Sequence, residues 1–208
     1  MTRLHALLLA LLLVVPIRGA AQTVFLDVNG DGTADAADVL GPGARSVDIW
    51  LETDRNADGS AAVCAQEDGH RLTLFSYSFL LRAWGDGTVT YGPWIPGPAV
   101  SGFQFDLGTY SKGTDVIVQY GGPAPLEPGR YKVGTLRITV TGSPRLSFIT
   151  SSPIAVESMT GFGTDCPGGD YDNTSKLGSD FIDGLGTAGP LPTTAPGAVW
   201  AVIRQLYY

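Results

Sequence analysis

The sequence predicts an all-β protein, an antiparallel β-sandwich, and three observations lead to that reading. Apolar and polar residues alternate along many short runs from Ser46 onward, which is the period of half-buried strands. The runs are divided by glycine and proline, 28 and 14 of the 208 residues, which are the residues tight reversals require. No long stretch of this region repeats at helical spacing.

In Ser46–Thr53, Val47, Ile49 and Leu51 point one way, and Asp48, Trp50 and Glu52 the other. In the next run, Phe75, Tyr77, Phe79 and Leu81 form one face, opposite Ser76, Ser78 and Arg82. Further alternating runs cover residues 88–91, 103–107, 116–120, 136–140 and 146–149. Gly85-Asp86-Gly87, Gly92-Pro93, Gly121-Gly122-Pro123 and Gly142-Ser143-Pro144 are expected to be the turns between them. Beyond Gly161 the chain becomes rich in glycine and aspartate and reads as an irregular covering segment. In the last eleven residues Val199, Trp200, Ile203, Leu206 and Tyr207 favour a short helix over a strand.

With 44% hydrophobic and 16% charged residues, the chain has the composition of a folded protein and not of a disordered one. Its net charge of −7 does not suit a phosphate backbone, so no nucleic-acid partner is expected.

Residues 1–21 combine an early Arg3, an apolar core from Ala6 to Val15, and small Gly19 and Ala21 before a cleavage point. This is the layout of a secretory signal peptide, and its core is shorter than the roughly 20 residues that cross a bilayer. A retained amphipathic anchor is the alternative. Cleavage after Ala21 would remove Arg3 and Arg18 and leave 187 residues at a net charge of −9. In an exported chain the two cysteines, Cys64 and Cys166, read as a disulfide. The expected organisation is a signal at 1–21, an acidic loop segment at 22–45, the sandwich at 46–160 and the covering segment at 161–208.

The most specific local pattern is DVNGDGTADAAD. Counting from Asp27, oxygen-bearing side chains fall at positions 1, 3, 5, 9 and 12 as Asp27, Asn29, Asp31, Asp35 and Asp38. Gly32 stands at position 6, and Thr33 at position 7 can offer its carbonyl. That spacing belongs to EF-hand calcium loops, and the all-oxygen donor set suits a hard cation. With Asp closing the loop, the segment resembles the calcium repeat of dockerin modules. A dockerin has two such repeats with helices, whereas here Gly41-Pro42-Gly43 would stop a helix after Leu40. A second DxNxDG opening, Asp54, Asn56 and Asp58, has Ala65 at its twelfth position and is a weaker calcium candidate. Asp165, Asp170 and Asp172 form a third acidic group.

The strand series VDIWLET, YSFLLRAWGDGTVTYG, YKVGTLRITVTG and RLSF resembles the cohesin and related carbohydrate-binding sandwich modules of exported bacterial proteins. The resemblance covers roughly residues 46–150. It implies a cohesin-like or jelly-roll-like sandwich that docks a partner protein through one sheet face, and no binding residue is carried over from it. The motifs of GxSxG hydrolases, zinc proteases, P-loops and dinucleotide folds are absent from the sequence, and a signal-free chain would keep one histidine, His70. Carboxylates alone suffice for glycoside hydrolysis, so a polysaccharide hydrolase stands as a third reading. The expected function is non-catalytic: calcium-binding, secreted or cell-surface, serving adhesion, scaffolding or self-assembly. The competing class is a carbohydrate-binding module using Trp84, Tyr91 and Trp94, whose flat rings could stack on sugars.

Overall fold

The computed structural model describes residues 23–55, 60–63, 71–106, 109–149, 152–154 and 160–164, together with the backbone of 171–173, 180–183 and 189–190. The signal segment, Asn56, Asp58, Cys64, His70, Asp165, Cys166, Asp170 and the last eighteen residues lie outside the described residues, as does the side chain of Asp172.

Among the described residues eleven strands make one antiparallel hydrogen-bonded network. They are β1 (Thr23–Asp27), β2 (Ser46–Glu52), β3 (Leu74–Pro96), β4 (Phe105–Asp106), β5 (Tyr110–Lys112), β6 (Asp115–Leu126), β7 (Arg130–Phe148), β8 (Gly161–Gly163), β9 (Tyr171–Asn173), β10 (Asp180–Asp183) and β11 (Gly189–Pro190). The main path runs β1-β2-β7-β3-β6-β4. The first half of β3 pairs with β6 on one side and β8 on the other, and its second half pairs with β7. The first half of β7 pairs with β2. Two long strands therefore serve both layers of the sandwich. Among the described residues the only helical element is the single turn Pro98–Val100, and no helix is long and apolar enough to cross a membrane.

The alternation read from the sequence sets the core. Val24, Leu26, Val47, Ile49 and Leu51 from one layer meet Tyr77, Phe79, Leu81, Val116 and Val118 from the other, and Leu136, Ile138 and Val140 join the same cluster. Tyr77 lies at its centre, its ring 5.1 Å from Phe79, 6.1 Å from Phe103 and 6.0 Å from Tyr120.

Four expectations are corrected. None of the four expected turns is a reversal: β3 runs through Gly85-Asp86-Gly87 and Gly92-Pro93, β6 through Gly121-Gly122-Pro123 and β7 through Gly142-Ser143-Pro144, with Gly85 paired with Pro144 and Gly87 with Gly142. Gly85, Gly87 and Gly142 all take positive φ, so the two strands bend together there. Phe75 does not join the inner face but is 41% exposed, because the β3–β6 register shifts between Leu74 and Ser76 and puts Leu74 inside instead. The Gly/Asp-rich segment beyond Gly161 contributes the short strands β8 to β11, of which β8 pairs with β3 and β10 with β7. No helix follows the acidic loop; residues 36–37 form a single turn, with the Asp38 N–H donating to the Asp35 carbonyl at 3.2 Å.

Candidate functional site

The acidic loop leaves β1 at Asp27 and closes at Asp38. The two end carboxylates face inward, 1% and 0% exposed, while Asn29, Asp31, Thr33 and Asp35 stay at the surface. Asp27 Oδ1 accepts from the Gly30 N–H at 2.6 Å, and its Oδ2 accepts from the Gly32 N–H at 2.8 Å and the Trp50 indole N–H at 3.1 Å. Asp38 Oδ1 accepts from the Val28 and Asn29 N–H groups at 2.6 and 3.3 Å, and its Oδ2 accepts from the Asp35 N–H at 3.1 Å. Position 12 thus ties the two ends of the loop together, which is why the chain turns at this point and does not wind into a helix.

The outer carboxylates make local turns. Asp31 Oδ1 accepts from the N–H and the hydroxyl of Thr33, each at 2.7 Å, and Asp35 Oδ1 accepts from the Ala37 N–H at 2.7 Å. These hydrogen bonds, led by the Thr33 hydroxyl, hold the Asp31 carboxyl below its ordinary range. Burial pushes the Asp38 carboxyl up, against the pull of its backbone donors.

The loop fits a hard cation in its donor chemistry, since all its side-chain donors are oxygens and its two end carboxylates already point inward. In this structure it is contracted onto its own N–H groups, and among the described residues no three His, Cys, Asp or Glu side chains are gathered closely enough to hold a metal ion. Taking up calcium would require Asp31 and Asp35 to swing in from Thr33 and Ala37. Of the candidate ligands in the second loop only Asp54 is described, and it pairs with the neighbouring Arg55 at 3.7 Å.

Beneath the loop lies a seat that sequence reasoning missed. Cross-strand partners Phe25 and Trp50 stack with centroids 6.1 Å apart and planes within 1°. The Arg130 guanidinium lies 5.1 Å from the Phe25 centroid and 5.3 Å from that of Trp50, and it donates a short hydrogen bond to the Gly32 carbonyl. Gly32 rests on the indole so closely that a Cβ there would stand 3.2 Å from Trp50 Cζ2. The outward direction of Trp50 was legible in the strand pattern; a partner 80 residues further along the chain was not.

The three aromatics expected to bind sugars do not form a platform. Trp94 is 8% exposed: the register shift after Tyr91, at Gly92-Pro93, turns it inward, and Gly134, two residues from its partner Leu136 on β7, leaves room for its ring. Tyr91 donates to the Thr114 carbonyl at 2.7 Å, and burial pushes its phenol up. Trp84 lies under the Arg145 guanidinium at 4.7 Å, with its indole N–H on Ser147.

Among the described residues the most exposed aromatics are instead Phe105 and Tyr110, 56% and 49% accessible. Register sets both on the outer face of the β8-β3-β6 layer, Phe105 opposite Gly121 and Tyr110 opposite Ile117. Ser76 pairs with Gly121, and Ser78 with Gln119, whose amide donates to the Ser78 hydroxyl at 3.0 Å. The same outer face carries half-buried Ser76, Ser78 and Gln119 and buried Gly121, and beside Tyr110 it carries Ile117 and Leu80, which are covered. At the far end of this face, Arg82 grips the buried Asp115 through two hydrogen bonds of 2.7 and 2.8 Å, and Ser152 donates to the same carboxylate.

No family model matches the chain, and no curated protein matches it. Among solved structures it is similar to a type III cohesin module from a cell-surface anchoring scaffoldin of Ruminococcus flavefaciens, at 9% identity and a TM-score of 0.45, covering 71% of this chain and 75% of that one. It is also similar to a cohesin module of a Clostridium perfringens family 33 glycoside hydrolase, at 12% identity and a TM-score of 0.45, covering 79% and 95%. A third is the sixth cohesin of scaffoldin B from Acetivibrio cellulolyticus, solved in complex with a dockerin, at 9% identity and a TM-score of 0.40, covering 69% and 86%. The sandwich assignment for this chain rests on its own strand pairing, and no residue role is transferred from these structures.

Proposed function

We propose that this chain is an exported, non-catalytic docking module that binds a partner protein across the outer face of the β8-β3-β6 layer, for adhesion, scaffolding or surface assembly. The observation that carries the reading is the pair of exposed rings, Phe105 and Tyr110, which register sets on that face. Aromatic side chains are among those that most often dominate protein interfaces.

We propose further that the module holds calcium in its acidic loop, through Asp27, Asn29, Asp31, the Thr33 carbonyl, Asp35 and Asp38. The ligand spacing and the inward end carboxylates support this.

The test is capture of exported proteins on the immobilised chain, followed by a Kd for the purified partner against wild type, Phe105→Ala and Tyr110→Ala. The expected result is one partner bound by the wild type and weakened at least tenfold by either substitution. Equal capture by all three would overturn the assignment of this face. Binding of a neutral polysaccharide, and of no protein, would favour the carbohydrate-binding reading.

A further inference from the structure

The turn after β1 contains a peptide bond with covalent chemistry of its own. Of the three asparagines in the chain, Asn29, Asn56 and Asn173, only Asn29 is followed by glycine. An asparagine carboxamide is open to attack by the nitrogen of the next peptide, and glycine, which has no Cβ, lets that nitrogen approach most closely. Both Asn29 and Gly30 are exposed, and a Cβ built on Gly30 would meet nothing within 4 Å, so among the described residues no packing shields the bond.

Hydrogen bonds shield it instead. The nucleophile, the Gly30 nitrogen, donates its proton to Asp27 Oδ1 at 2.6 Å. The carboxamide is held at both ends by Asp31: Asn29 Oδ1 accepts from the Asp31 N–H at 2.8 Å, and Asn29 Nδ2 donates to Asp31 Oδ2 at 2.9 Å. Asp27 is almost inaccessible and is itself fixed by the Gly32 N–H and the Trp50 indole. A carboxylate beside the Gly30 nitrogen also opposes loss of its proton, because the amide anion would form next to a negative charge. Both reacting groups are occupied while the turn is seated, so reaction waits on local opening.

We propose that Asn29 is a self-modification site guarded by Asp27: the seated turn keeps the side chain intact, and opening exposes it to conversion into aspartate or isoaspartate. In the open turn the Gly30 nitrogen gives its proton to a solvent base and bonds to Asn29 Cγ. The Cγ–Nδ2 bond breaks, and that nitrogen takes a proton from solvent and leaves as ammonia. Water then opens the succinimide, at the side-chain carbonyl to give aspartate or at the backbone carbonyl to give isoaspartate. Either product adds a negative charge. Isoaspartate also lengthens the backbone between Asp27 and Gly32, whose contact seats the turn on Trp50, so an opening is recorded covalently. Neither metal binding nor docking enters the reaction.

The full chain is incubated in chelator at mildly alkaline pH, folded and in guanidinium chloride, and the peptide containing residue 29 is followed by mass spectrometry. Deamidation changes the mass of that peptide, whereas isomerisation at the neighbouring Asp31–Gly32 bond does not. The folded wild type should be converted at least about tenfold more slowly than the unfolded chain. Asp27→Ala, shown by its melt to be folded, should lose most of that protection. Asp35→Ala removes a carboxylate that bonds Thr33 and Ala37 instead, and should stay within about twofold of the wild-type rate. Trp50→Phe, which frees Asp27 from the indole, should speed conversion about threefold or more and stands in for Asp27→Ala if that chain does not fold. Equal rates in the folded and unfolded wild type would overturn the guarded site. Equal acceleration by Asp27→Ala and Asp35→Ala would overturn Asp27 as its guard, and no conversion in the unfolded chain would overturn the reactive bond itself.

Discussion

The indole N–H of Trp50 donates to Asp27 Oδ2 at 3.1 Å, so a strand in the middle of the β1-β2-β7 layer fixes the first residue of the acidic loop. Asp27 is nearly inaccessible and depends on this donor together with two backbone N–H groups. Trp50→Phe keeps a ring against Phe25 and removes the donor. The expected cost is about 1–2 kcal/mol, read from urea denaturation in chelator. A loss below a few tenths of a kcal/mol would show that the bond does not hold the loop.

Asp115 and Arg82 join β6 to β3 by a bidentate pair, with the carboxylate almost inaccessible and the guanidinium partly exposed. Asp115→Asn leaves the guanidinium without its counter-charge and should destabilise the fold by about 2 kcal/mol, toward the low end for buried pairs because Arg82 retains some water contact. Chemical denaturation of the variant checks this.

Two buried carboxylates contribute to the acid limb of stability with opposite sign. Hydrogen bonding to Arg82, opposed by burial, holds the Asp115 carboxyl below its ordinary range, so its stabilisation is present above about pH 4 and fades as pH falls below that value. Burial raises the Asp38 carboxyl, so protonating it favours the folded state and adds stability as pH falls through the raised value toward about pH 4. Melting temperature should therefore rise slightly as pH falls toward about 4 and drop beneath it. Asp115→Asn should flatten the drop, and Asp38→Asn should remove the rise; a profile unchanged in both variants would contradict these assignments.

Gly134 faces Trp94 so closely that a Cβ would stand 2.2 Å from Trp94 Cζ2 and 2.7 Å from the Ile95 carbonyl oxygen. Gly134→Ala must push the indole out of the core or shift the strand. A loss of about 1–3 kcal/mol is expected, with a red shift in tryptophan emission if the ring leaves the core.

Phe105→Ala and Tyr110→Ala remove exposed rings from strands of two and three residues at the edge of a layer. Folding stability should change by no more than about 0.5 kcal/mol in either variant, measured by thermal melts. A larger loss would mean that the rings pack on the protein itself and are not free to meet a partner.

What was legible in the sequence was what alternation controls. Val47, Ile49 and Leu51 turn inward and Trp50 outward because a two-residue period leaves no other choice. What was not legible were the places where the period slips. The shift before Ser76 expels Phe75, and the shift after Tyr91 buries Trp94, so one aromatic moved in each direction against its pattern. Glycines were misread for a related reason: a residue that can reverse a chain can also let two paired strands bend together, and sequence does not distinguish these uses at Gly87 and Gly142. In the loop, spacing gave Asp27 and Asp38 their shared importance, while the Arg130 contact depends on the β2–β7 register, which no local pattern encodes.

The sharing of β3 and β7 between the two layers also bears on how the chain reaches its native state. Their paired residues, from Pro96 with Gly134 to Leu81 with Phe148, lie about 40 to 70 positions apart. Long chain segments must therefore be closed before this central ribbon can form. Neither layer can be completed from neighbouring strands alone, so both should appear together in one slow, cooperative step. Such a chain is slow to assemble, and once assembled neither layer can come apart without opening the ribbon they share.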